Sequence, residues 1–84
     1  MKKYHVPDYI AMSDTGFLFL PSTGETFTLN QIGKEIFKMI QAGESDETIF
    51  NRITSEYDVD ENILEKDFSD FVSQLKSYTL IKFL

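Results

Sequence analysis

Few side chains in this 84-residue chain could do chemistry, and none stands at a spacing that would let it. His5 is the only histidine, so a Ser-His-Asp arrangement would have to use it. It lies in a terminal lead-in, where chains are usually poorly ordered, and reads as a solvent-exposed side chain. Asp58-Val59-Asp60-Glu61-Asn62 has the look of an opening calcium loop. That pattern needs Gly at its sixth position and Glu at its twelfth, where this chain has Ile63 and Ser69. The segment reads instead as a helix cap with a solvated acidic first turn. Gly16 and Gly24 are turn glycines, since no lysine follows them at the spacing of a phosphate loop. Glu65, Asp67 and Asp70 project from one predicted helix and read as a solubilising face rather than an acid/base pair. No nucleophile, metal set or cofactor loop is left, so the expectation is a protein with no catalytic residues, metal or cofactor.

The elements around these residues are easier to read. Phe17 to Leu20 is a short apolar strand, and Pro21-Ser22-Thr23-Gly24 supplies turn chemistry. Thr26 to Leu29 alternates polar and apolar residues, as a strand with one buried face does. Tyr9 to Ser13 is expected to form a strand before them, with Asp14-Thr15-Gly16 as the connecting turn. The apolar content of Phe17 to Leu20 on both sides predicts that both faces of that strand are at least partly covered. Asn30 caps a first helix over about Gln31 to Ala42, with Ile32, Ile36, Phe37 and Ile40 as its buried stripe. Gly33 inside it suggests close packing against the sheet, and Gly43 ends it. Ser45 caps a second helix whose apolar face is Ile49, Phe50, Ile53 and Tyr57. Asp60 caps a third that runs to about Tyr78, with Leu64, Phe68, Phe71, Val72 and Leu75 in its stripe. The tail from Leu80 is apolar enough for a last short strand or a docked segment.

The predicted order is three strands and then three helices, which places the chain in the α+β class. The expectation is one domain over residues 1–84, winged-helix-like, with a three-stranded antiparallel sheet followed by three helices.

Charge narrows the partners. The chain carries a formal −6; residues 1–44 contribute −1 and residues 45–84 contribute −5. From Asp60 to Tyr78 five acidic residues face two lysines. Phosphate backbones reward clustered Lys and Arg, and this chain has no such cluster, so no nucleic acid is expected. The longest apolar run is too short for a bilayer, and the basic start lacks an apolar stretch behind it. The expectation is a cytoplasmic protein with no membrane partner.

Two features remain that could bind a macromolecule. A hairpin leaves an outer strand with unpaired backbone groups, which is either a hazard or a binding site. At 100° per residue, Ile63, Asp67, Asp70, Gln74 and Tyr78 share one edge of the third helix, with Phe71 beside them. That edge suits one wall of a groove facing the third strand, or ordinary packing of Ile63 and Tyr78 against the tail; periodicity does not separate the two.

Thr23-Gly24-Glu25 with Phe27, then Leu29-Asn30, resembles the signature of the PqqD-like proteins. Gly33, Ile36-Phe37, Gly43, Ser45 with Ile49, Tyr57-Asp58-Val59, Asp67, Phe71 and Leu75 continue the pattern in register from about Tyr9 to Ile81. The resemblance implies a recognition element for ribosomally made, post-translationally modified peptides. Such an element is a non-catalytic adaptor that captures the leader of a precursor peptide and presents it to a modifying enzyme, often a radical SAM maturase. In that family the leader adds as an antiparallel strand to the third strand, and its apolar side chains enter the groove beside the third helix. Carried over, the peptide-binding residues are Glu25, Thr26, Phe27 and Thr28 on the strand, and Ile63, Asp67, Phe71, Gln74 and Tyr78 on the helix. An acidic third helix would favour basic residues in the leader. The alternative is a winged-helix transcriptional regulator, whose recognition helix should offer Arg, Lys, Asn or Gln to base edges.

Overall fold

The computed structural model describes residues 4–83. Its elements are β1 (Tyr4–His5), β2 (Ala11–Met12), β3 (Phe17–Leu20), β4 (Glu25–Thr28), α1 (Gln31–Gln41), α2 (Asp46–Glu56), α3 (Glu61–Ser77) and β5 (Lys82–Phe83). An antiparallel sheet of order β2-β3-β4 therefore precedes three helices, as the sequence predicts, and β1 and β5 add a two-stranded antiparallel sheet.

The caps explain where the helices begin. Asn30 Oδ1 accepts the Gly33 N–H at 2.8 Å, and Asp60 Oδ1 accepts those of Asn62 and Ile63 at 2.8 and 3.1 Å. Ser45 Oγ accepts the Thr48 N–H at 3.4 Å. Each satisfies a donor that the first helical turn leaves without an intrahelical partner. Helices α1 and α3 end alike. The Glu44 N–H reaches Met39 O and the Leu80 N–H reaches Leu75 O, while Gly43 and Thr79 bond back to Ile40 O and Lys76 O. Both residues adopt left-handed backbone, Gly43 at φ 83° and Thr79 at φ 58°.

Leu18 and Leu20 turn inward from β3 onto Ile36, Phe37 and Ile40 of α1, Ile49 and Ile53 of α2, and Leu64, Phe68, Val72 and Leu75 of α3, all in one buried cluster. The opposite face of β3 is only partly covered, with Phe17 and Phe19 remaining 45% and 44% exposed. Leu80 and Ile81 are buried in the same core, which docks the tail and brings β5 beside β1.

Two expectations are corrected. The strand read over Tyr9 to Ser13 shrinks to Ala11–Met12, because the Ile10 N–H closes a turn onto Pro7 O at 3.0 Å and leaves Tyr9 in that turn. The lead-in is also not loose where it is described. Tyr4 is buried against Phe68, with ring centroids 6.5 Å apart, although His5 beside it is exposed as expected.

Candidate functional site

The site begins at the free side of β4, which pairs with β3 alone among the described residues. The register sets Phe17 opposite Thr28, Leu18 opposite Phe27, and Phe19 opposite Thr26. Just beyond, the Leu29 N–H donates to Gly16 O at 2.8 Å. Antiparallel pairing alternates residues that bond the partner strand with residues that turn their N–H and C=O away from it. Counting back from Leu29, Phe27 bonds towards β3, and Thr28 and Thr26 offer their backbone groups to the open side. Their side chains are exposed on the sheet's outer face, while Phe27 points inward.

Gly16 holds this end of the sheet in place. Its φ is +87°, and a Cβ there would lie 2.8 Å from Leu29 O, so only glycine permits the approach. Lys34 Nζ, from α1, donates to Asp14 O at 2.9 Å in the same turn. The junction from β4 into α1 is thereby fixed against the hairpin.

Across from that junction lies α3, and between them is a groove of about 450 Å³. Thr28, Leu29, Asn30, Ile32, Gly33 and Ile36 line one side; Ile63, Leu64, Asp67, Phe68, Asp70, Phe71 and Gln74 line the other, and Val59 completes the lining. At Gly33 the α1 side lies close to α3: a Cβ would sit 3.2 Å from Asn30 Oδ1 and 3.7 Å from Phe71 Cζ. Its close neighbours are thus its own cap, Leu29 at the end of the strand read from the sequence, and the third helix. The groove is apolar at its base, and its ionisable lining groups are the carboxylates of Asp67 and Asp70.

Of the residues singled out from the sequence, Thr28, Ile63, Asp67, Phe71 and Gln74 meet around this groove. Ile63 is 62% exposed, so it is not consumed by packing against the tail. Glu25 and Thr26 lie farther along the same strand edge. Phe27 and Tyr78 stack on each other, ring centroids 4.7 Å apart and tilted by 51°, and they stand outside the groove lining. The side contributed by α1 was not anticipated from the sequence. Its signals were present in Ile32, at the start of the apolar stripe, and in Gly33, which leaves room for an occupant.

Among the described residues no cluster of three His, Asp or Glu side chains is placed to hold a metal ion, and no helix is long and apolar enough to cross a membrane.

Residues 15–81 match the family described as coenzyme PQQ synthesis protein D (PqqD). The chain belongs to the PqqD family. Two solved structures resemble this PqqD-family fold closely. TbiB1 in complex with the TbiA(beta) leader peptide is 30% identical, with a TM-score of 0.81 over 93% of this chain and 94% of that one. Lasso peptide synthetase B1 complexed with the leader peptide is 25% identical, with a TM-score of 0.81 over 95% of this chain and 98% of that one. No curated protein matches the sequence.

Proposed function

We propose that this PqqD-family chain is a peptide-binding adaptor that captures the leader of a ribosomally made precursor peptide and presents it to a modifying enzyme. The observation that carries the reading is the free edge of β4 opening directly onto the groove beside α3. Solved structures of similar fold are complexes with leader peptides, which supports the same occupant here. The leader adds as a strand to Thr26 and Thr28, whose outward N–H and C=O groups supply sequence-tolerant affinity. Its alternate side chains enter the groove, where Ile32, Ile63, Phe68 and Phe71 supply selectivity. Glu25, Thr26 and Thr28 with Ile63, Asp67, Phe71 and Gln74 are the contact residues, while Phe27 and Tyr78 stack on each other outside the groove lining.

The adaptor acts without chemistry of its own, in the cytoplasm, and a radical SAM maturase is the kind of enzyme that would work on the attached core peptide. Duplex DNA is disfavoured as a ligand, because α3 and its cap Asp60 together carry five acidic residues against two lysines.

Titration of the isotope-labelled protein with the leader of a short precursor encoded beside its gene tests the reading, with a DNA duplex as control. Binding should shift the amides of Thr26, Thr28 and the Ile63–Gln74 edge and slow hydrogen exchange at Thr26 and Thr28 specifically. Shifts with the duplex and none with the leader would overturn it.

A further inference from the structure

Building on the leader-binding reading of the groove, we infer that the bound segment carries a lysine or arginine two residues from its main apolar anchor, with both side chains facing α3. The ionisable lining groups of the groove are both carboxylates, Asp67 and Asp70. They are exposed, and among the described residues neither joins an ion pair. Three positions apart on one helix, they stand roughly 4.5 Å apart along the axis on the same side. The lysines of α3, Lys66 and Lys76, are not in the lining.

An apolar occupant alone would press against these carboxylates and strip water from them with nothing in return. A cation on the occupant offsets that loss, so the groove discriminates through the penalty it imposes on uncharged segments as well as through attraction. Strand geometry then sets the spacing. Alternate residues of the added strand share a face and lie roughly 6.6–6.8 Å apart. A residue two places from the anchor therefore also faces α3, and its aliphatic stem can lie along exposed Ile63 while its head reaches the carboxylates. A cation one place away would be turned to the outer face, beside the side chains of Thr26 and Thr28.

A display library of random linear peptides, selected on the wild-type chain and on the D67N/D70N variant, tests this. Both substitutions are at exposed positions, and an unchanged amide spectrum away from α3 confirms that the variant is folded. The wild type should enrich Lys or Arg at even spacing from a Leu, Ile, Phe or Tyr, while the variant keeps the apolar preference and loses the cation. A recovered peptide, synthesised and titrated, should bind the variant roughly fivefold more weakly and with less dependence on salt. Apolar enrichment with no cation preference, or equal cation preference in both proteins, overturns the inference and leaves the groove reading intact. Recovered peptides that leave the Thr26 and Thr28 amides unmoved would remove the groove reading and this inference with it.

Discussion

Among the described residues, Thr79 is the non-glycine with left-handed backbone. A β-branched side chain at φ 58° is strained, yet the position closes the end of α3 and turns Leu80 and Ile81 into the core. Its hydroxyl donates to Tyr78 O at 2.6 Å, a local contact that glycine would lose. Relief of the strain outweighs that loss, so Thr79→Gly should stabilise the fold by about 0.5–1 kcal/mol, read as a higher urea midpoint at unchanged slope. Two tyrosines contribute to a loss of stability at high pH. The Tyr57 hydroxyl donates to Glu35 Oε2 at 2.8 Å, and this bond, followed by desolvation, raises its pKa above 10.0. Burial, and then its position beside Asp46, raise that of Tyr4 further. Both groups ionise more readily unfolded than folded. The stability they contribute is therefore complete below pH 10.0 and is lost as the pH rises above it. Thermal melts on either side of that pH should show the fall, and Tyr57→Phe should make it shallower while Tyr4 sustains the remainder.

At the scale of the elements, the alternation along β4 makes a prediction that side-chain arguments would miss. Thr28 turns its N–H away from β3, so proline there removes no ladder bond, and the residue before it is already extended. Thr28→Pro should keep the fold and weaken leader binding at least about tenfold, because a donor is lost and the ring obstructs the edge. Phe27→Pro, one residue earlier, cuts the ladder to β3 and should destabilise the sheet. Melting temperature and leader titration measured on both variants separate the two effects, and equal behaviour would show the assigned alternation to be wrong. The helices were legible because their signals are local: Asn30, Ser45 and Asp60 each cap the helix that follows, and the apolar stripes fall at helical spacing. The first strand was less so, since a turn at Pro7 shortens it in a way that alternation does not encode.

For the molecule as a whole, the two ends of the chain are joined by β1 and β5, with Tyr4 opposite Phe83 and His5 opposite Lys82. Leu80, only 1% exposed, anchors the tail for that pairing. Leu80→Ala should cost about 2–5 kcal/mol, a large part of the total stability expected of a chain this size. Hydrogen exchange should show the amides of β1 released first, ahead of those in α1 and α3. Uniform acceleration throughout the chain would mean that the β1–β5 sheet is no weaker than the core.

The sequence by itself determined the α+β order, the caps, the apolar stripes, the exposed hairpin edge and the acidic character of α3, because each depends on residues within a few positions of one another. Its helical periodicity also placed Ile63, Asp67, Asp70, Gln74 and Tyr78 along one edge, with Phe71 beside them. Tertiary structure alone decided what that edge faces. The approach of α1 through Gly33, the loss of Phe27 and Tyr78 to their mutual stack, and the pairing of the two chain ends all join residues distant in sequence. Such contacts follow from how whole elements pack around a shared core, and that packing leaves no periodic trace in any one segment.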